Sequence, residues 1–206
     1  GSGDVSGHIK YTGALSIQNT NDITIKNILM KNNSNFDDMF HIVYVDNIKL
    51  DNINIENSNM DAIDIDMSNN VEIVNTKISQ SGNDGIDLME SDVIISNVKI
   101  QNSGDKAISV GENSFMILNN SSISKNNIGV ATKDKSISFI INSNLINNNV
   151  SLNNYKKNWQ YGSGGITKVY RSKLNNKKNI SIDKHSAIQI FDTDLDNINF
   201  KEKKFF

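Results

Sequence analysis

The stretch Asp61-Ala-Ile-Asp-Ile-Asp66 returns one repeat later as Asp84-Gly-Ile-Asp-Leu88, then as Lys106-Ala-Ile-Ser-Val110 and Ile128-Gly-Val-Ala131. The small residues Ala62, Gly85, Ala107 and Gly129 stand 23, 22 and 22 positions apart. A fixed period of this size means that each repeat buries its apolar side only by stacking on its neighbours, so the chain is expected to be a solenoid.

Each repeat carries three short segments with the period-2 alternation of strands. The first holds Phe40 and Ile42, then Ile63 and Ile65, Ile86 and Leu88, Ile108 and Val110, Val130 and Thr132. The second holds Ile48 and Leu50, Val71 and Ile73, Val93 and Ile95, Met116 and Leu118. The third ends on Ile55, Ile78, Ile100, Ile123 and Leu145. Alternate strand residues face one way, so stacked repeats turn these rows into three columns around one core. Three short parallel strands per 22-residue rung give an all-β chain, a right-handed parallel β-helix. Asn52, Asn75, Asn97, Asn120 and Asn142 recur just before the third strand, where Asn tolerates the left-handed backbone of a tight bend.

The whole chain, 1–206, reads as a single domain of roughly eight rungs. Residues 1–13 form a leader or cap, 14–149 the regular rungs, and 150–206 irregular C-terminal rungs and a cap. At the usual strand spacing the rod is on the order of 35–40 Å long. Asn32–Asp38 reads as an insertion, and Tyr155–Gly165 lengthens a later rung. The chain is expected to be a piece of a longer one, with other domains as partners and a removed targeting segment.

The formal net charge of -2 disfavours a nucleic-acid partner, which selects basic surfaces. With no cysteine in the chain, thiol nucleophiles, cysteine metal sites and disulfides are excluded. No apolar run approaches the ~18 residues of a membrane span.

If Ile63 and Ile65 face inward, Asp64 and Asp66 face outward, and so does Asp87 one rung on. Asp61, Asp84 and Asp105 are expected to form a second acidic column at the preceding turn. Neighbouring rungs lie ~4.8 Å apart. Three readings follow: a solvated acidic face with lysine partners such as Lys106, a Ca²⁺ site built from Asp61, Asp64, Asp84 and Asp87, or a carboxylate pair for sugar chemistry. His41 falls on the outward phase beside these columns and is the acid/base candidate among the three histidines; His8 and His185 lie elsewhere. The Tyr155–Gly165 loop holds the single Trp159 with Tyr155, Tyr161, Lys156 and Lys157. Aromatic faces stack on sugars and lysines pair with uronate groups; the alternative is that Trp159 packs as a lid on the core.

Asn83-Asp-Gly-Ile-Asp87, Gly104-Asp-Lys-Ala-Ile-Ser-Val-Gly111, and Tyr155-Lys-Lys157 running into Gly162-Ser-Gly-Gly165 are similar to pieces of bacterial β-helix modules. Over about residues 14–195 the chain resembles the right-handed parallel β-helix repeat proteins of the pectin-lyase-like superfamily. Within it, polygalacturonases carry Asn-Thr-Asp, Asp-Asp, Gly-His-Gly and Arg-x-Lys motifs. Asn83-Asp84 resembles the first and Gly104-Asp105 the second, but Lys106 replaces the partner Asp. Asn127-Ile128-Gly129 stands where the histidine belongs, and Lys133 has no arginine two residues before it.

The resemblance implies a carbohydrate-associated binding or scaffold module of a bacterial surface or secreted protein. The location implied is extracellular, cell-surface or periplasmic, with an acidic or uncharged polysaccharide as ligand. No cofactor is required on this reading, although Ca²⁺ fits the acidic face. The alternatives are a polysaccharide lyase or epimerase and a purely structural stalk. The enzymatic alternative uses Asp64, Asp87 and Asp105 as acidic groups and His41 as acid or base. Arg171, the only arginine, would neutralise the substrate carboxylate, unless it merely replaces an Asn of the corner column.

Overall fold

A computed structural model describes residues 12–175 and 180–196. The chain winds into a parallel β-helix in which each strand pairs in parallel with those of the neighbouring rungs. Among the described residues there are eight rungs, each with three sides. Rungs 1 and 2 are nearly continuous strands, Gly13–Lys31 and Asp38–Ser58. From rung 3 the corners break the strands, so the first side is Ile63–Asp66, Ile86–Met89, Lys106–Gly111, Ile128–Lys133, Val150–Tyr155 and Ile180–Ile182.

The three apolar columns form as the alternation requires. Phe40, Ile63, Ile86, Ile108, Val130 and Leu152 stack in register on the first side and are fully buried. Ile48, Val71, Val93 and Met116 do so on the second, and Ile55, Ile78, Ile100, Ile123 and Leu145 on the third. Each such side chain contributes about 1.5–3 kcal/mol by leaving water.

The corners carry the rest of the periodicity. Asn27, Asn52, Asn75, Asn97, Asn120 and Asn142 all have φ between 48° and 58° at the corner between sides two and three. Two further left-handed columns exist. One contains Tyr44, Met67, Glu90, Glu112 and Asp134, after side one; the other contains Asn57, Gln80, Asn102, Lys125 and Asn147, after side three. Inside the first corner Ser68, Ser91, Ser114 and Ser136 accept the backbone N–H of the preceding rung at 3.0–3.1 Å, which satisfies amides the strand ladder leaves unpaired.

Two irregularities matter. Rungs 1 and 2 are offset by 25 residues, whereas rungs 2 and 3 are offset by 23, so the insertion is real. It ends at Asp37, however. Asp38 opens the strand of rung 2 and pairs its backbone with Thr12. The second irregularity, residues 156–165, lies between sides one and two of rung 7. Of the expected terminal pieces, residues 1–11 with His8, and 197–206, lie outside the described residues.

Candidate functional site

The first side gathers the acidic residues. Its outward column reads His41, Asp64, Asp87, Ser109, and the next reads Val43, Asp66, Met89, Gly111. At the corner that opens this side the column is Asp38, Asp61, Asp84, Lys106, joined by Met39 N–H to Asp61 O, Ala62 N–H to Asp84 O and Gly85 N–H to Lys106 O. Asp105 is therefore not in the column with Asp61 and Asp84, as the sequence suggested. The rung offset shrinks from 23 to 22 at this point, and Asp105 pairs with Asn83 instead. Lys106 takes the acidic place and closes the patch. Its ammonium lies 3.4 Å from Asp84 and ion-pairs with Asp105.

His41 is the centre of the patch and only 9% exposed. Its Nδ1 meets the Thr12 hydroxyl at 2.8 Å, and its Nε2 faces Asp66 at 3.4 Å and Asp64 at 3.6 Å. One imidazole shared at these distances does not offset four neighbouring acids. Burial, then Asp66, Asp38, Asp87 and Asp61, push the Asp64 carboxyl up to about 9. Burial also raises Asp84 to about 7 against the pull of Lys106, and Asp61 to about 6 against the Asp84 backbone N–H. Asp38 is raised by burial as well. Asp87 Oδ1 is buried without a hydrogen-bond partner.

Ligand atoms of His41, Asp64 and Asp66 lie within 4.8 Å of one another, close enough to share one divalent cation. One nitrogen and two carboxylates suit zinc or manganese better than the all-oxygen shell of Ca²⁺. The four-aspartate set differs from this trio. Asp61 Oδ1 accepts from Asn83 Nδ2 and Asp84 N–H, and Asp84 Oδ1 from Lys106 N–H, so both carboxylates are turned to the corner backbone.

The loop 156–165 folds back along the first corner. Lys156 N–H donates to Asp183, and Lys157 and Asn158 N–H both donate to Asp134 Oδ1 at 2.8 Å. The Tyr161 hydroxyl reaches Glu90, three rungs away, at 3.4 Å. Gly165 permits the close approach, since a Cβ there would sit 2.1 Å from Thr132 O. Trp159 is 84% exposed and does not pack on the core. Tyr155 stands beside Lys133 on the first side, and Lys156 and Lys157 begin the loop. Lys133, which lacks the arginine of the Arg-x-Lys motif, lies 3.9 Å from Glu112 and adds a cation to this side.

Arg171 is not brought to this face. It occupies the Asn corner between sides two and three with φ 44°, donating its N–H to Phe191 O as Asn142 does to Tyr170 O. The carboxylate-neutralising role expected of it therefore has no geometric support, and among the described residues Lys106 and Lys133 are the lysines on the first side. His185 is exposed near the loop base and shares no contact with the acidic patch. Asp38 was missed because it looked like part of the insertion; the equal spacing of Asp38, Asp61 and Asp84 was the available signal.

Residues 38–206 match the family described as "Right handed beta helix region". The chain belongs to that family. No curated protein sequence matches it. Among solved structures it is similar to the periplasmic alginate epimerase AlgG, with a TM-score of 0.63 and 11% identity over 77% of this chain. It is similar to an endo-xylogalacturonan hydrolase from Aspergillus tubingensis, with a TM-score of 0.65 and 13% identity over 89% of this chain. A pectate lyase variant from Xanthomonas campestris matches with a TM-score of 0.54 and 13% identity over 91% of this chain and 67% of its own. The chain spans 47% of the epimerase and 61% of the hydrolase. At these identities the likeness shows the fold alone, a right-handed parallel β-helix. No helix is long and apolar enough to cross a membrane among the described residues.

Proposed function

We propose that this chain is a polysaccharide-binding β-helix module that takes a glycan along its first side, in an extracellular or periplasmic setting. The observation that carries this reading is Trp159, 84% exposed on a loop pinned by Asp134 and Asp183. A large apolar ring held in water by a fixed loop loses free energy unless a partner covers it, and a sugar ring is such a partner. The acidic end favours an uncharged glycan, or a uronate bridged by a cation at His41, Asp64 and Asp66. Because Trp159 is the single tryptophan, its fluorescence reports the site directly. Titration with neutral and uronate polysaccharides is expected to shift that emission and to fail in Trp159→Ala. A panel that produces neither a shift nor retardation in affinity electrophoresis overturns the reading.

A second reading, lyase or epimerase, has one observation in its favour. The Asp64 carboxyl keeps its proton up to about pH 9 beside His41, which is the state of a proton donor at neutral pH. Unsaturated products from a uronan, or solvent deuterium entering the sugar carbon, would support it if lost in Asp64→Asn. Binding without either signal leaves the module reading alone.

A further inference from the structure

The second side carries a different surface. In rungs 2 and 3 its outward central column is the Lys49–Glu72 ion pair at 2.8 Å. From rung 4 the same column becomes Ile94, Ile117 and Phe139, with Lys168 in rung 7. Ile94 is 42% exposed, and Ile166 and Phe191 at the flanks are exposed too. Outward strand positions facing water are normally polar, as the third side shows with Lys77, Lys99 and Ser122. Here five rungs of five-residue strands make a face of ~24 by ~17 Å on which most outward side chains are apolar. The face as a whole, ~400 Å², is within the size range of patches that mark interaction sites on single chains.

The rings on this side stack on each other. Phe139 and Tyr170 lie 6.5 Å apart at 9°, and Tyr170 and Phe191 4.8 Å apart at 10°. Tyr170 has both faces covered by its neighbours, so most of the surface offers ring edges and aliphatic groups. It is a poor platform for a sugar and a suitable one for another apolar sheet face.

We propose that two copies of this chain pair through their second sides, antiparallel, about a two-fold axis lying along the strands between rungs 5 and 6. That axis sets rung 5 against rung 6, so Ile117 of each copy meets Phe139 of the other. It sets rung 4 against rung 7, so Lys168 comes over Ile94 and beside Asp92 of the other copy. Asp92 is exposed and makes no ion pair among the described residues, while Lys168 lies 5.6 Å from the Phe139 ring centroid. The patch is thus acidic at one end and basic at the other, which is the pattern that a two-fold contact neutralises twice. Two such faces sum to ~800 Å², the size of a weak interface below the ~1,200 Å² at the lower end of specific ones. The pairing is independent of what the first side binds.

Sedimentation velocity of the full chain, from ~1 to ~100 μM, spans the micromolar Kd expected of a small interface. A monomer–dimer equilibrium is expected. Ile117→Asp is expected to give monomer at every concentration with an unchanged circular dichroism spectrum, and Ile94→Asp, at a more exposed position, to weaken the dimer at least tenfold. Asp92→Lys alone is expected to weaken it, and Asp92→Lys with Lys168→Asp to restore it. A wild-type chain that stays monomeric at ~100 μM overturns the proposal. So does a dimer that survives Ile117→Asp, or a charge swap that fails to restore pairing, which would rule out the antiparallel register.

Discussion

The first and second sides are built on the same backbone and stand on the same core, yet present opposite surfaces. Outward positions of rungs 2–4 on the first side include His41, Asp64, Asp66 and Asp87; those of rungs 4–6 on the second include Ile94, Ile117 and Phe139. In both, the alternate residues are buried, Phe40, Ile63 and Ile86 on the first side and Ile95, Leu118 and Ile140 on the second. The inward rows fix the solenoid, and the outward rows are left to other purposes. The corners repeat the contrast. Beside the second side the bend uses Asn in rungs 1–6, whereas the corner after the first side forces Tyr44, Met67, Glu90 and Glu112 into the left-handed region. Such residues there cost on the order of 1–3 kcal/mol each, and strain of this kind gathers where a surface is used.

The sharpest way to separate inward from outward rows is a pair of adjacent substitutions. Ile95 is fully buried and Ile94 is 42% exposed. Ile95→Ala is expected to lower stability by about 3 kcal/mol in urea unfolding, and Ile94→Ala by less than about 0.5 kcal/mol. Similar losses from both would mean that the second side is already covered within one chain.

Next in size is the effect of a cation on the first side. Zinc or manganese at a hundredfold excess over Kd is expected to stabilise the chain by about 2.7 kcal/mol, seen as a rise in melting temperature. His41→Ala should abolish that rise, and an unchanged rise would place the cation elsewhere.

Proton linkage gives a third handle. An unfolded Asp ionises near 4, while folded Asp64 holds its proton to about 9. Between those values the unfolded chain binds fewer protons, so stability falls as pH rises. Asp64→Asn is expected to flatten that fall and to stabilise by about 1–2 kcal/mol at pH 8. A stability profile identical to that of the wild type from pH 5 to 9 would show that Asp64 ionises normally.

Trp159→Ala is expected to weaken glycan binding about tenfold, or about 1.4 kcal/mol, with no change in unfolding midpoint. Calorimetry of both proteins with the same polysaccharide decides it. Smallest is Arg171→Asn, which places the residue type of the other rungs at φ 44°. A gain of a few tenths of a kcal/mol is expected, with glycan affinity unchanged. A loss of affinity would return Arg171 to the binding machinery.

Much of this architecture was legible in the sequence, because a solenoid turns a spatial neighbour into a fixed sequence interval. The Asn corner could be read because one residue type filled it. The other two corners were hidden, since Tyr44, Met67, Glu90, Gln80 and Lys125 share a backbone shape and no side-chain chemistry. Of the site, the outward phase of His41, Asp64 and Asp87 was legible, while Asp38 was hidden behind an insertion and Asp105 was misplaced by one residue.

Period and alternation by themselves determined the rung count, the core columns and which residues face out, because those depend only on counting along the chain. Tertiary structure alone decided which outward groups meet. A slip from 23 to 22 residues per rung put Lys106, not Asp105, above Asp84. The corner geometry carried Arg171 to another side, and the fold-back of the loop left Trp159 in water. The Asp64 carboxyl is neutral at pH 7 because burial between the rungs, and then Asp66, Asp38, Asp87 and Asp61, disfavour its charge, and contacts between rungs of that kind have no signature within any one repeat.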